Sequence, residues 1–408
     1  MCRGPAKRCR ALRCPALGYI AGMMLFGASL VSGEPFLPPN GAQVLERLRS
    51  TAMDPDAREL HNLRMRLTAD PQNLELALQF ARNCIERGRR EADPRYLGRA
   101  QAALAPWWNN GNAPGDALVL RATIRQSQHD FTNALADLEL VLEKAPRSAQ
   151  AWLTRATILT VLGNYPAARR ACVPLAQLAP GLVALTAAAS VACVNGEAER
   201  SCILLRNALE THSTASRSER RWALTVLGET SGRLGNVAEA EEFFKRALEL
   251  EPRDAYLKGS YADLLLDGGR HPEAAALLKD ESRADGLLLR LALAESKLES
   301  RPASLGQHIK TLQALFEAGH LRGDFVHQRE EAWFALRLLG KPREALRLAQ
   351  ENWRVQHEPA DARILLESAL AAPDRAAAQP VLEFMRTSRL QDVRLTALAS
   401  EIDKVTTQ

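Results

Sequence analysis

From about residue 70 onward, apolar residues return every three or four positions, in runs of roughly 12 to 14 residues separated by Gly, Asn, Asp or Pro. That spacing keeps one face of a helix apolar, so the chain is predicted to be all-α, without strands. The runs come in pairs, and the pairs recur. Pro146 and Pro180 stand 34 positions apart, enclosing PRSAQAWLTRATILTVLGNYPAARRACVPLAQLAP. Numbered from Ala149, this unit places Trp152 at position 4, Ala156 at 8, Gly163 at 15, Tyr165 at 17, Ala168 at 20 and Pro180 at 32. One unit earlier, Leu118, Ala122, Phe131, Ala134 and Pro146 hold positions 4, 8, 17, 20 and 32. Further on, Leu224, Leu227, Gly228, Gly235, Ala240, Phe244, Ala247 and Pro252 hold 4, 7, 8, 15, 20, 24, 27 and 32, and Tyr261, Ala262, Gly269 and Ala274 hold 7, 8, 15 and 20.

Each unit is a pair of amphipathic helices joined by a tight turn. Small residues at 8 and 20 let the two helices approach, and large ones at 4, 7, 17 and 24 fill the space around them. Asp130, Asn164 and Asn236 stand where the second helix needs an N-cap. Pro166, Pro272 and Pro342 fall in its first turn, where a missing N–H costs little. One hairpin cannot bury both of its faces, so the units must stack. The pattern resembles the tetratricopeptide repeat, which implies a right-handed α-α superhelical solenoid, here of about nine helical hairpins.

The pattern is clearest over 115–182 and 221–280. A unit shortened by one residue fits Val183 to Glu210, and a polar insertion at His212 to Glu219 precedes the next. Glu91 to Pro94 interrupts an early turn, and a degenerate hairpin is expected around Ala284 to Ala318. The predicted organisation is a leader or anchor at 1–33, an irregular start with N-terminal helices at 34–70, repeats over 71–390, and a capping helix with a tail at 391–408. No uninterrupted block of about 100 residues remains for a separate catalytic domain.

The leader rests on charge. Arg3, Lys7, Arg8, Arg10 and Arg13 precede an uncharged run, Ala16 to Val31, and Val31-Ser32-Gly33 offers small residues for cleavage before Glu34. The alternative is an uncleaved anchor through residues 16–31, since the run nearly reaches the roughly 20 residues that span a bilayer. Either outcome places the body outside the cytoplasm: exported, periplasmic or secreted, or anchored to the inner membrane. The excess of Arg over Lys suits a GC-rich bacterial genome. Without those five basic residues, the 53 Lys and Arg fall to the number of acidic residues, 48. A neutral body argues against nucleic acid as partner.

Candidate chemistry is sparse. Cys84, Cys172, Cys193 and Cys202 show no zinc spacing, and buried free thiols are the expected state, with a Cys172–Cys193 disulfide as the alternative in an oxidising compartment. His327 and Glu330, near His320, lack a third ligand for a metal. Arg322-Gly323-Asp324 reads as turn chemistry. No nucleophile elbow, zincin motif or phosphate loop occurs. No catalytic residue, cofactor or metal is therefore expected.

The resemblance directs attention to the concave face, where positions 2, 5, 9, 12 and 13 of the first helices line a groove for peptides or partner helices. Those positions hold Leu153, Val161, Val191 and Val194, an apolar stretch with Thr157 as a polar member beside it, and then Trp222, Glu229, Tyr256, Asp263 and Asp267, an aromatic and acidic stretch. Tight curvature that brings the first helices together would explain the apolar residues without a ligand. A binding groove would favour an amphipathic partner, basic at one end. The family's carboxylate clamp needs Lys at 5 and Asn at 9, and neither stands there in Leu153, Thr157, Thr225, Glu229, Gly259 or Asp263. The expected function is an exported, non-enzymatic scaffold or assembly factor that binds a protein or peptide in this groove. The alternative is a membrane-tethered accessory subunit of an envelope enzyme or transporter complex.

Overall fold

The computed structural model describes residues 54–323 and 326–404. The leader read at 1–33 and Asp324 lie outside the described residues. Those described form helices and turns, with no strand among them. None of the helices is long and apolar enough to cross a membrane.

A first helix, α1 (Pro55–Ala69), precedes the hairpins. The first pairs α2 (Leu74–Glu91) with α3 (Arg95–Ala103) and α4 (Ala105–Trp108), and the second α5 (Gly115–Ser127) with α6 (Phe131–Lys144). Next come α7 (Ala149–Val161) with α8 (Tyr165–Cys172) and α9 (Leu175–Leu178), then α10 (Leu182–Ala192) with α11 (Ala198–Thr211). The pairs α12 (Arg217–Arg233) with α13 (Val237–Leu250) and α14 (Ala255–Asp267) with α15 (His271–Leu278) follow. The degenerate unit is α16 (Asp285–Glu295) with α17 (Ser304–Leu321). Then come α18 (Gln328–Arg337) with α19 (Pro342–Trp353), α20 (Pro359–Ala371) with α21 (Arg375–Ser388), and a closing helix α22 (Val393–Lys404).

Local chemistry explains the ends. Asp130 and Asn164 accept from the backbone N–H three residues on, while Asn236 holds the N-cap position of α13 without a side-chain bond. Pro174 divides the second helix of its unit into α8 and α9. The polar insertion after α11 is a short turn, from which a Ser216–Glu219 capping box lengthens α12 at its start. Close approach at positions 8 and 20 is visible in Ala122 with Ala134 and Ala262 with Ala274, all fully buried. At Gly228 a Cβ would stand 2.7 Å from the Phe244 ring, so only glycine fits.

The repeats form a right-handed superhelix. Its first helices stack in order, α2 on α5, then α7, α10, α12 and α14, and α14 returns to touch α2. Six hairpins thus complete a turn. The second turn, α16, α18, α20 and α22, sits directly on the first. His357 N donates to Val161 O at 2.8 Å, and Phe384 packs over Gly163 and Tyr165. Ala198 N donates to Gln391 Oε1 at 2.7 Å, Arg389 covers Gly196, and Val393 covers Gly235. One apolar cluster accordingly runs from Ala156, Val191 and Val194 to Leu365, Leu390, Leu395 and Ile402.

Candidate functional site

Touching in order from α2 round to α14, the first helices close a ring, and the hollow is the space along its axis that they wall. Thr157 and Tyr256, at groove positions of α7 and α14, remain exposed there, Tyr256 by 64%. Its hydroxyl donates to Glu229 Oε1 at 2.6 Å, and the Ser260 hydroxyl donates to the same oxygen at 3.0 Å. Burial raises the pKa of the Glu229 carboxyl above the usual range, and the Glu229 charge in turn holds Tyr256 well above an ordinary phenol.

The structure separates the residues read from the sequence into three groups. Val191 and Val194 are buried in the apolar cluster beneath the second turn; Leu153 and Trp222 pack against it. Val161 is half-buried and lends its carbonyl to His357. Glu229 and Tyr256 meet in the hollow with Thr157 on the same wall of first helices. Asp263 and Asp267 are engaged by the chain itself. Arg290 grips Asp263 with two bonds of 2.7 and 2.6 Å. Arg363 does the same to Asp267 at 3.0 and 2.6 Å, and Arg394 adds a 2.7 Å ion pair. The acidic end of the groove is therefore neutralised from within.

A second cluster faces this wall from α18 and α20. Arg329 pairs with Glu330 at 3.1 Å, with Glu358 at 3.0 Å and with Asp361 at 3.3 Å. Asp361 has no exposed side-chain surface and also accepts from Asn352 and from the Glu358 backbone, both at 2.8 Å. Burial pushes its carboxyl up to about 6, against the pull of Arg329. His129, in the α5–α6 turn, has its pKa lowered by burial and by Arg329. Each of these carboxylates is matched by a guanidinium or a hydrogen-bond donor.

Residues 119–181 and 233–286 each match a family model described as tetratricopeptide repeat. These two stretches are tetratricopeptide repeats, and helical hairpins before, between and after them continue the stack. Similar solved structures include PilW, described as a widely conserved type IV pilus biogenesis factor, at 20% identity and TM-score 0.40, covering 50% of this chain and 94% of that one. A tetratricopeptide repeat protein from Parabacteroides merdae is 17% identical at TM-score 0.36, covering 71% and 99%. Yeast Tom70 is 13% identical at TM-score 0.38, covering 86% of each chain. No curated protein matches the chain.

Stacked helical repeats of this kind present surfaces suited to protein contacts. Its four cysteines in the described residues, Cys172 and Cys193 included, are free and buried. No cluster of three or more His, Cys, Asp or Glu suited to a metal occurs among the described residues. His320 pairs instead with Glu331 at 2.8 Å, and Glu330 with Arg329. The groove positions include Glu229 and Tyr256, which meet on the inner wall, and do not include Arg290, Arg329, Arg363 or Arg394. A guanidinium that pairs across hairpins leaves no 34-residue signature. Only charge arithmetic hinted at it, since a neutral body must match its many arginines to acids.

Proposed function

We propose that the protein is an exported, non-enzymatic scaffold that holds an extended segment of a protein partner in the axial hollow. The exposed Tyr256, held in place by Glu229 on a wall of first helices, is the observation that carries this reading. An aromatic ring kept at 64% exposure in a concave surface is a contact waiting for a partner. Width supports the extended form. Six neighbouring axes about 9 Å apart lie about 9 Å from the centre. For helices parallel to the axis with radii of about 5 to 6 Å, side chains included, this leaves a bore of roughly 7 Å, which suits an extended chain better than a second helix. The ion pairs around Arg329 and Asp267 match the charges in their part of the hollow, which supports placement of a partner there over reaction with it.

The test is photocrosslinking in the native envelope, with a photoreactive residue at Thr157 or Tyr256 and, as control, at the outward-facing Ile203. Adducts at the two inner positions and none at Ile203 support the hollow. Adducts at Ile203 alone refute it. The same preparation decides between free and tethered forms. The uncharged run Ala16 to Val31 favours a membrane-tethered accessory subunit if it is retained. A mature chain beginning at Glu34 by mass spectrometry supports the exported scaffold.

A further inference from the structure

Glu229 and Arg233 stand four residues apart on the inner face of α12, the spacing at which a glutamate and an arginine ordinarily pair. Here they do not. Tyr256 and Ser260 draw the Glu229 carboxylate toward α14. Arg233 Nη2 donates instead to Cys193 Sγ and Thr230 Oγ1, both at 3.2 Å, and its Nε is buried without a partner. The nearby Asp392 is occupied in capping α22, accepting from the Arg394 and Leu395 backbones at 2.9 and 3.0 Å. Its neighbours among the inner arginines behave otherwise: Arg290, Arg329 and Arg363 each hold at least one carboxylate. Arg233 Nη1 makes no hydrogen bond and is not enclosed, so this end of the guanidinium remains open. Glu229 and Asp392 balance the Arg233 charge at a distance, but no carboxylate is bonded to it, and a carboxylate is the planar acceptor that matches its fork.

We propose that Arg233 is the receptor for a carboxylate on the segment bound in the hollow, with the Glu229–Tyr256 bond keeping the guanidinium free for it. This rests on the proposed function only in assigning the carboxylate to a protein; capture of the anion is a property of the chain alone. It differs from the family's Lys and Asn clamp, whose positions this chain fills otherwise.

The experiment follows arginine Nε–H resonances of the full processed protein by NMR, titrating sodium acetate against sodium chloride at matched ionic strength. The resonance absent from Arg233→Lys identifies the site. It should shift and saturate with acetate but not with chloride. A charge-assisted bond of this kind makes acetate bind about tenfold more weakly to Arg233→Gln. Removing the neighbouring negative charge in Glu229→Gln should tighten acetate by about threefold or more, which keeps the test usable if Arg233 variants unfold. Two peptides then locate the source: acetyl-Ala-Glu-Ala-amide carries only a side-chain carboxylate, and acetyl-Ala-Gln-Ala only a terminal one. Whichever displaces acetate names it. An unshifted resonance, an equal response to chloride, no tightening in Glu229→Gln, or failure of both peptides overturns the proposal. Crosslinking at Tyr256 with no acetate response would leave the hollow intact and discard only Arg233.

Discussion

Replacing Gly163 with alanine should cost more than replacing Gly340, although the two glycines do the same backbone work. Both stand in the turn between first and second helix, at φ of +70° and +64°, where a Cβ costs roughly 1–2 kcal/mol. Around Gly340 a new Cβ meets nothing within 4 Å. Around Gly163 it would stand 2.8 Å from Phe384 Cε2 and 3.2 Å from His357 Cβ, both from the second superhelical turn. Forcing those residues back adds an overpacking cost of about 1–3 kcal/mol. Gly340→Ala is therefore expected to lose about 1–2 kcal/mol and Gly163→Ala about 2–5 kcal/mol. Urea unfolding monitored by circular dichroism measures both, and hydrogen exchange locates the difference. In Gly163→Ala the amide of His357, bonded to Val161 O, should exchange faster than in Gly340→Ala. If the two variants fall within about 0.5 kcal/mol of each other and His357 exchanges equally in both, the second turn does not rest on the first.

Asp137→Asn should destabilise the body by about 3–5 kcal/mol in the same assay, because among the described residues Asp137 alone supplies a carboxylate to the buried Arg121 guanidinium, at 2.9 and 2.6 Å. A loss below about 1 kcal/mol would contradict this. Burial pushes the Cys84 and Cys172 thiols up to about 11, so neither should react with iodoacetamide at pH 8 until the chain is unfolded. Rapid labelling of the native protein would count against the packing. Glu241 is lowered to about 2, mainly by its bonds to Arg270 and Lys245. A depressed carboxyl stabilises the fold above its unfolded value of 4.5 and loses that contribution as pH falls toward 2. The difference between wild type and Glu241→Gln should shrink over that interval by about 0.5–1 kcal/mol, given the open surroundings of the pair. A difference independent of pH would refute it.

The repeating unit is a matter of local sequence. Alternating helices, the small residues at Ala156 and Ala168, the caps at Asp130 and Asn164, and the prolines that start second helices are all short-range requirements. Each is met within one 34-residue window, and the spacing of Gly269 and Gly340, close to two units, leaves room for the degenerate pair α16–α17. The path of the superhelix was decided only in three dimensions. Its pitch is the sum of small rotations at every interface between hairpins, and a slight change in each moves the second turn by many ångströms. That path brings Phe384 onto Gly163 and Arg363 and Arg394 onto Asp267, and it covers Val191 and Val194. The same path leaves Tyr256 in open space and Arg233 without a carboxylate. Which groove residues became core, which became ion pairs and which stayed available was therefore set by contacts between residues up to about two hundred positions apart, as between Ala198 and Gln391.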